Sequence, residues 1–246
     1  MPDVARFRRG EPAASVPEVD LFTLSWSALR HGVAQLPDAA LDAPSGCRGW
    51  RVRDLVHHLI LQAQDVLITL ATPAETAPTD DALSWWTPTP MPIPPDGHCP
   101  YDALIVRMAD AYGSAAQVRD SFEHVAAAAG RAALLAHPDL PASARGRTLT
   151  VRDYLGALVL EATLHHLDLV ADQRSAEGSA VEGPPAESLA AAREMVERRL
   201  RLRLPEAWTD ADALRIATGR RPATSAERAE LDALGPRGQM LPLSFG

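Results

Sequence analysis

The chain has 246 residues, enough for one substantial domain with an appendage or for two small domains, and 46% of them are hydrophobic, so a packed core is affordable and disorder is not the default reading. The formal net charge is -8 and no basic run occurs, which excludes a surface built to track nucleic-acid phosphates, because that binding rests on clustered cations releasing counterions. No window approaches the roughly 20 apolar residues of a membrane span, and the first residues, MPDVARFRRGEPAASVP, lack the apolar stretch of a secretory signal. A cytoplasmic protein with no membrane partner is therefore expected. Two cysteines, Cys47 and Cys99, are too few for a disulfide framework and are expected as thiols.

Residues 1–16 carry Pro, Gly and charge without periodicity and read as a flexible arm. Phe22, Trp26, Leu29, Val33 and Leu36 alternate steps of four and three, which predicts a helix over about 18–36. Pro37, Pro44 and Gly46 break it. A second helix is predicted over about 52–71, with Val52, Leu55, Leu59, Ala63, Val66 and Leu70 as its buried stripe and Asp54 in the first turn. The proline-rich segment 72–99 is too long for a hairpin and reads as a crossover, which Trp85 and Trp86 are expected to pin, with lining of a pocket mouth as their alternative role. Leu104, Met108, Ala111, Ala115, Val118, Phe122, Val125 and Ala129 predict one continuous third helix. The fourth starts at Thr150 as cap, with Asp153 at its third position, and runs through YLGALVLEATLHHLDLV to about Asp172.

These elements predict an all-α fold: a four-helix bundle with one long crossover over residues 17–175. Residues 176–185 are a Gly, Pro, Ser and Glu linker, and 176–246 form a small, mainly helical C-terminal extension with a helix over about 186–204 and then a short helical hairpin.

Glu161 lies in the most apolar segment of the chain and shares a helical face with His165 four residues on. A buried carboxylate costs several kcal/mol unless a cation, a hydrogen-bond partner or a raised pKa relieves it. A metal shared with His165 is one answer and a Glu–His hydrogen bond without metal is another. A third ligand has to come from another helix, and His57 and His58 flank opposite edges of the apolar stripe, so periodicity does not choose between them. Tyr154 sits one stacking layer from Glu161 and is a candidate proton donor. Asp168 is placed either to accept a proton from His165 or simply to be solvated near the helix C-terminus, and Cys47 reads as a small buried side chain in its turn.

The stretch from Trp26 to Leu59, with SGCRGWRVRDLVHHL, resembles the N-terminal domain of the mycothiol-dependent maleylpyruvate isomerase family, a DinB-like metal-binding bundle in which Cys-Pro-Gly-Trp-Thr-Val-Arg-Asp precedes Ala-His-Leu. Cys47, Gly49, Trp50, Val52, Arg53 and Asp54 match that pattern, while Arg48 and Arg51 replace its Pro and Thr. The stretch EATLHHLDL from Glu161 is similar to the family's second signature. The resemblance covers about 18–172 and implies a metal held by His58, Glu161 and His165, with zinc first among divalent ions and positions left open for a ligand. It also implies mycothiol as cosubstrate, the thiol of certain GC-rich bacteria, which suits a chain whose 24 basic residues are all arginine. The family's second domain supplies a catalytic arginine. Here the C-terminal part looks shorter and helical, and Arg220 is the candidate counterpart, placed to hold a substrate carboxylate.

The function expected from this resemblance is a metal-dependent enzyme that activates a small thiol for isomerisation, addition or sulfur transfer on an electrophilic substrate. A non-catalytic metal-binding or sensing bundle and a thiol-independent metallohydrolase are the alternatives, and a homodimer is left open.

Overall fold

The computed structural model describes residues 18–90, 100–175 and 178–245. The expected arm 1–16, Cys99 and the end of the crossover lie outside the described residues.

Helix α1 spans Glu18–Gln35 and leads through a 3-10 turn, Asp38–Asp42, into a loop and then α2, Val52–Leu70. At the start of α2 the Asp54 carboxylate accepts from the Arg51 backbone N–H at 2.8 Å and from its guanidinium, so the Arg that departs from the family pattern is drawn into the cap. The crossover includes a short strand β1, Pro88–Pro90. Trp86 donates its indole N–H to the carbonyl of Ala157 at 2.9 Å, and Trp85 stands edge-on to Tyr154, so the pair does pin the crossover.

The continuous third helix is corrected. The structure has α3, Pro100–Asp110, and α4, Ala115–Leu135, separated at Gly113 and Ser114. Ser114 is extended and its hydroxyl accepts from the Gln117 N–H, so the chain starts a new helix there and the phase of α4 does not carry back. Ile105 and Ala109 are buried in α3, while Leu104 and Met108 are exposed.

After α4 comes a hairpin that the sequence reading missed, β2 (Pro141–Ala144) paired with β3 (Arg147–Thr150) through a two-residue turn. Helix α5, Val151–Leu169, follows with the Thr150 side chain accepting from the Asp153 N–H, the expected cap. Helices α1, α2, α4 and α5 form the bundle, with α2 against α4 and α1 against α5. The close pairing of α1 with α5 uses Gly32, where a Cβ would stand 3.0 Å from the His166 ring.

The rest of the chain builds α6 (Ala186–Leu200), α7 (Asp210–Ala217), α8 (Ser225–Ala233), a short α9 (Pro236–Gln239) and β4 (Leu243–Phe245), which pairs antiparallel with β1. Two apolar clusters result. The bundle cluster contains Phe22, Trp26, Leu55, Phe122, Leu155 and Leu158. The second joins Leu160, Leu164 and Leu167 of α5 to Val196, Leu214, Ile216 and Leu231. Helix α5 is therefore apolar on two faces because it is covered on two faces.

Phe122 is fully buried between α4 and α1, so Phe122→Ala should cost about 3–5 kcal/mol in urea unfolding. Leu135, 87% exposed, serves as its contrast: Leu135→Ala should stay within about 0.5 kcal/mol.

Candidate metal centre

Glu161 and His165 project from α5, and His58 comes from α2. His58 Nε2 lies 3.3 Å and His165 Nε2 3.2 Å from the same carboxylate oxygen, Glu161 Oε1. The three donor atoms all lie within 4.8 Å of one another. Gln62, one turn after His58, donates its amide N–H to that oxygen at 2.8 Å. Of the histidine pair, His58 is thus the one brought to Glu161. His57 instead faces Tyr112, whose hydroxyl is 3.4 Å from Nδ1, and its Nε2 is buried without a hydrogen bond among the described residues. His166 turns away and donates from Nε2 to the carbonyl of Glu182, and burial pushes its pKa down to about 4.

The far nitrogens of both rings are also occupied. His165 Nδ1 is 3.2 Å from Asp168 Oδ2, and His58 Nδ1 is 3.1 Å from the hydroxyl of Tyr101 on α3. A neutral His165 that donates from Nδ1 to Asp168 turns its Nε2 lone pair toward the Glu161 carboxylate. Two electron-rich atoms 3.2 Å apart need a proton or a cation between them. Without a cation the proton takes that place. Burial opposes the charge on His165, but Glu161, Asp168 and Cys47 outweigh it and hold the imidazole well above its usual range. Burial likewise opposes the charge on Glu161, and the His165 and His58 rings outweigh it, so its carboxyl lies well below the usual range. A divalent ion satisfies the same atoms: two imidazole nitrogens and one carboxylate oxygen suit zinc and leave positions free. The residues fit a metal.

Asp168 is held from three sides. Arg220 donates from Nε to Oδ1 and from Nη2 to Oδ2, each at 2.9 Å, and the Cys47 thiol donates to Oδ2 at 3.2 Å. Despite burial, these contacts and His165 bring the Asp168 carboxyl down to about 2. The Cys47 thiol is pushed up by its own burial. Gly46 brings this loop onto α5: its N–H donates to the Asp168 carbonyl at 2.8 Å, and a Cβ there would stand 2.7 Å from the Asp168 Cα.

A cavity of about 440 Å³ opens onto these groups, walled by Trp50, Tyr101, Leu164 and Phe245. Cavities of about 560 and 720 Å³ elsewhere are lined without histidine or cysteine, so volume alone does not mark the site. Arg220 reaches the 440 Å³ cavity, with its fork committed to Asp168. Tyr154 does not line it. Its ring is buried against Trp85 and its hydroxyl is pushed up to about 12, chiefly by burial. Tyr101 and Gln62 line the cavity and were missed in the sequence, although Gln62 stands four residues from His58 on one face of α2.

A solved structure, that of the mycothiol-dependent maleylpyruvate isomerase, is similar over 78% of this chain and 70% of that chain, with 17% identity and a TM-score of 0.47. Comparison with curated proteins gives no match. The family model described as mycothiol maleylpyruvate isomerase N-terminal domain matches residues 22–170, a span that contains His58, Glu161 and His165 together with the helices that carry them. The chain belongs to that family.

Proposed function

We propose that this protein is a divalent-metal-dependent enzyme that activates a low-molecular-weight thiol of the mycothiol type for isomerisation, addition or sulfur transfer on a small electrophile. The observation that carries this reading is the convergence of His58 Nε2 and His165 Nε2 on one oxygen of Glu161, inside a cavity large enough for small substrates. These three residues would hold the ion, with zinc the first choice. A zinc ion bound there would keep a thiol ionised at neutral pH.

The surrounding side chains prepare the site. Asp168 accepts the Nδ1 proton of His165 and so keeps Nε2 available, while Arg220 keeps Asp168 charged and oriented. Tyr101 plays the corresponding part for His58 by accepting from Nδ1. Gln62 fixes the Glu161 carboxylate. Arg220 is thus a positioning residue acting through Asp168. Leu164, Trp50 and Phe245 give the cavity apolar walls that limit water around the reacting sulfur.

Metal analysis of purified protein should find about one equivalent in the wild type and a sharp loss in Glu161→Ala, which removes both charge and geometry. Asp168→Asn should weaken zinc affinity by about 10- to 100-fold in chelator competition, with little change in helical content. In a cobalt-substituted sample, added mycothiol or a simpler thiol should shift the visible spectrum, and maleylpyruvate should then turn over only with thiol present. A cobalt spectrum that ignores thiol would overturn the reading and leave a metal-binding bundle.

A further inference from the structure

Among the described residues, metal-ligating side chains converge in threes at two places, and the two places share His165. The first is the trio around Glu161. The second lies at the other edge of the same ring. Cys47 Sγ is 3.2 Å from Asp168 Oδ2 and 3.8 Å from His165 Nδ1, and that nitrogen is 3.2 Å from the same carboxylate oxygen. A tetrahedral ion with bonds of about 2.0 to 2.3 Å holds its ligand atoms roughly 3.3 to 3.8 Å apart, so this triangle already has the size of a metal site.

Its chemistry differs from that of the first place. One sulfur joins one nitrogen and one oxygen, a set that favours thiophilic divalent ions. Asp168 is buried and Cys47 lines the 440 Å³ cavity, so the triangle has a fixed floor and a path from solvent. When an ion binds, the thiol proton now donated to Asp168 leaves to solvent, and thiolate and carboxylate together match a divalent charge. Arg220 gives up its Nη2 bond to Oδ2 and can keep its Nε bond to Oδ1.

The shared imidazole cannot serve both places while it is neutral. Such a ring has one nitrogen lone pair, so an ion on Nδ1 leaves the proton on Nε2. That N–H donates to Glu161 Oε1, 3.2 Å away, and the trio is reduced to His58 and the carboxylate.

We propose that Cys47, Asp168 and His165 Nδ1 form a second site, for a soft divalent ion, and that filling it takes His165 away from the ion proposed at Glu161. The displacement rests on the proposed function, whereas the second site does not. A soft ion thereby disables the centre through the proton on His165, without entering it.

Cadmium is the probe, added to the cobalt-loaded full chain. A sulfur-to-cadmium charge-transfer band should grow in the ultraviolet while the visible cobalt spectrum fades in step with it. Cys47→Ser should abolish the band and raise the cadmium needed to release cobalt by about tenfold or more, since the thiolate ligand is gone. Cys99→Ser should keep both wild-type responses. A band that survives Cys47→Ser, cobalt released with no band, or a band that grows over an unchanged cobalt spectrum would each overturn the assignment. The first outcome would put cadmium on another thiol, the second would put it at Glu161, and the third would fill both places at once. A wild type that takes up no cobalt yet gives the Cys47-dependent band would support the second site and count against the proposed function.

Discussion

The structure around the site depends on keeping one carboxylate charged inside an apolar helix. Glu161 is only 15% exposed, and leaving it unpaired would cost several kcal/mol. Its relief is passed outward. The imidazoles of His58 and His165 and the amide of Gln62 meet the carboxylate, Tyr101 and Asp168 meet the far sides of those rings, and Arg220 meets Asp168. Each group in this chain of contacts is satisfied by the next until Arg220 reaches partly solvent-exposed surface. Removing a member near the centre leaves a buried charge without its partner, whereas a change at the rim is cushioned by water.

Helix α5 explains how such a chain can sit in a protein interior. Leu155, Leu158 and Ala162 face the bundle cluster, and Ala157, Leu160, Leu164 and Leu167 face the cluster built with the C-terminal helices. Glu161, His165 and Asp168, spaced by four and three, follow the seam between those faces. The seam opens on the cavity, so the polar stripe is sheltered on both sides without being packed into either core.

Much of this was legible in the residues. Steps of three and four located α1 and α2, and a Thr with Asp three residues later marked the start of α5. The Glu161–His165 spacing announced a shared face, but the partner helix could not be chosen from periodicity, since His57 and His58 flank the same stripe. The motif around Trp50 points to His58, and His58 is the one that meets Glu161 in the structure. The third helix was misread because an apolar four-three rhythm happens to run through Gly113 and Ser114, where a backbone turn and a hydroxyl cap outweigh side-chain spacing. The β2–β3 hairpin was missed because four-residue strands carry almost no period and Arg-Gly is an uncommon turn pair. Tyr101 was hidden behind the misread helix. Tyr154 shares the ligand face in sequence, but its place two turns before Glu161 leaves it against Trp85.

The cavity draws its walls from widely separated parts of the chain: the loop at 46–50, α3, the hairpin tip, the stretch 218–220 and the last strand. His58, Glu161 and His165 all lie on two helices of the bundle, whereas Thr218, Gly219, Arg220 and Phe245 come from the C-terminal part of the chain. A substitution at Thr218 or Phe245 can therefore reshape the cavity and leave the three side chains around Glu161 where they are. The polar centre and the outline of the cavity are in this way borne by different stretches of the polypeptide.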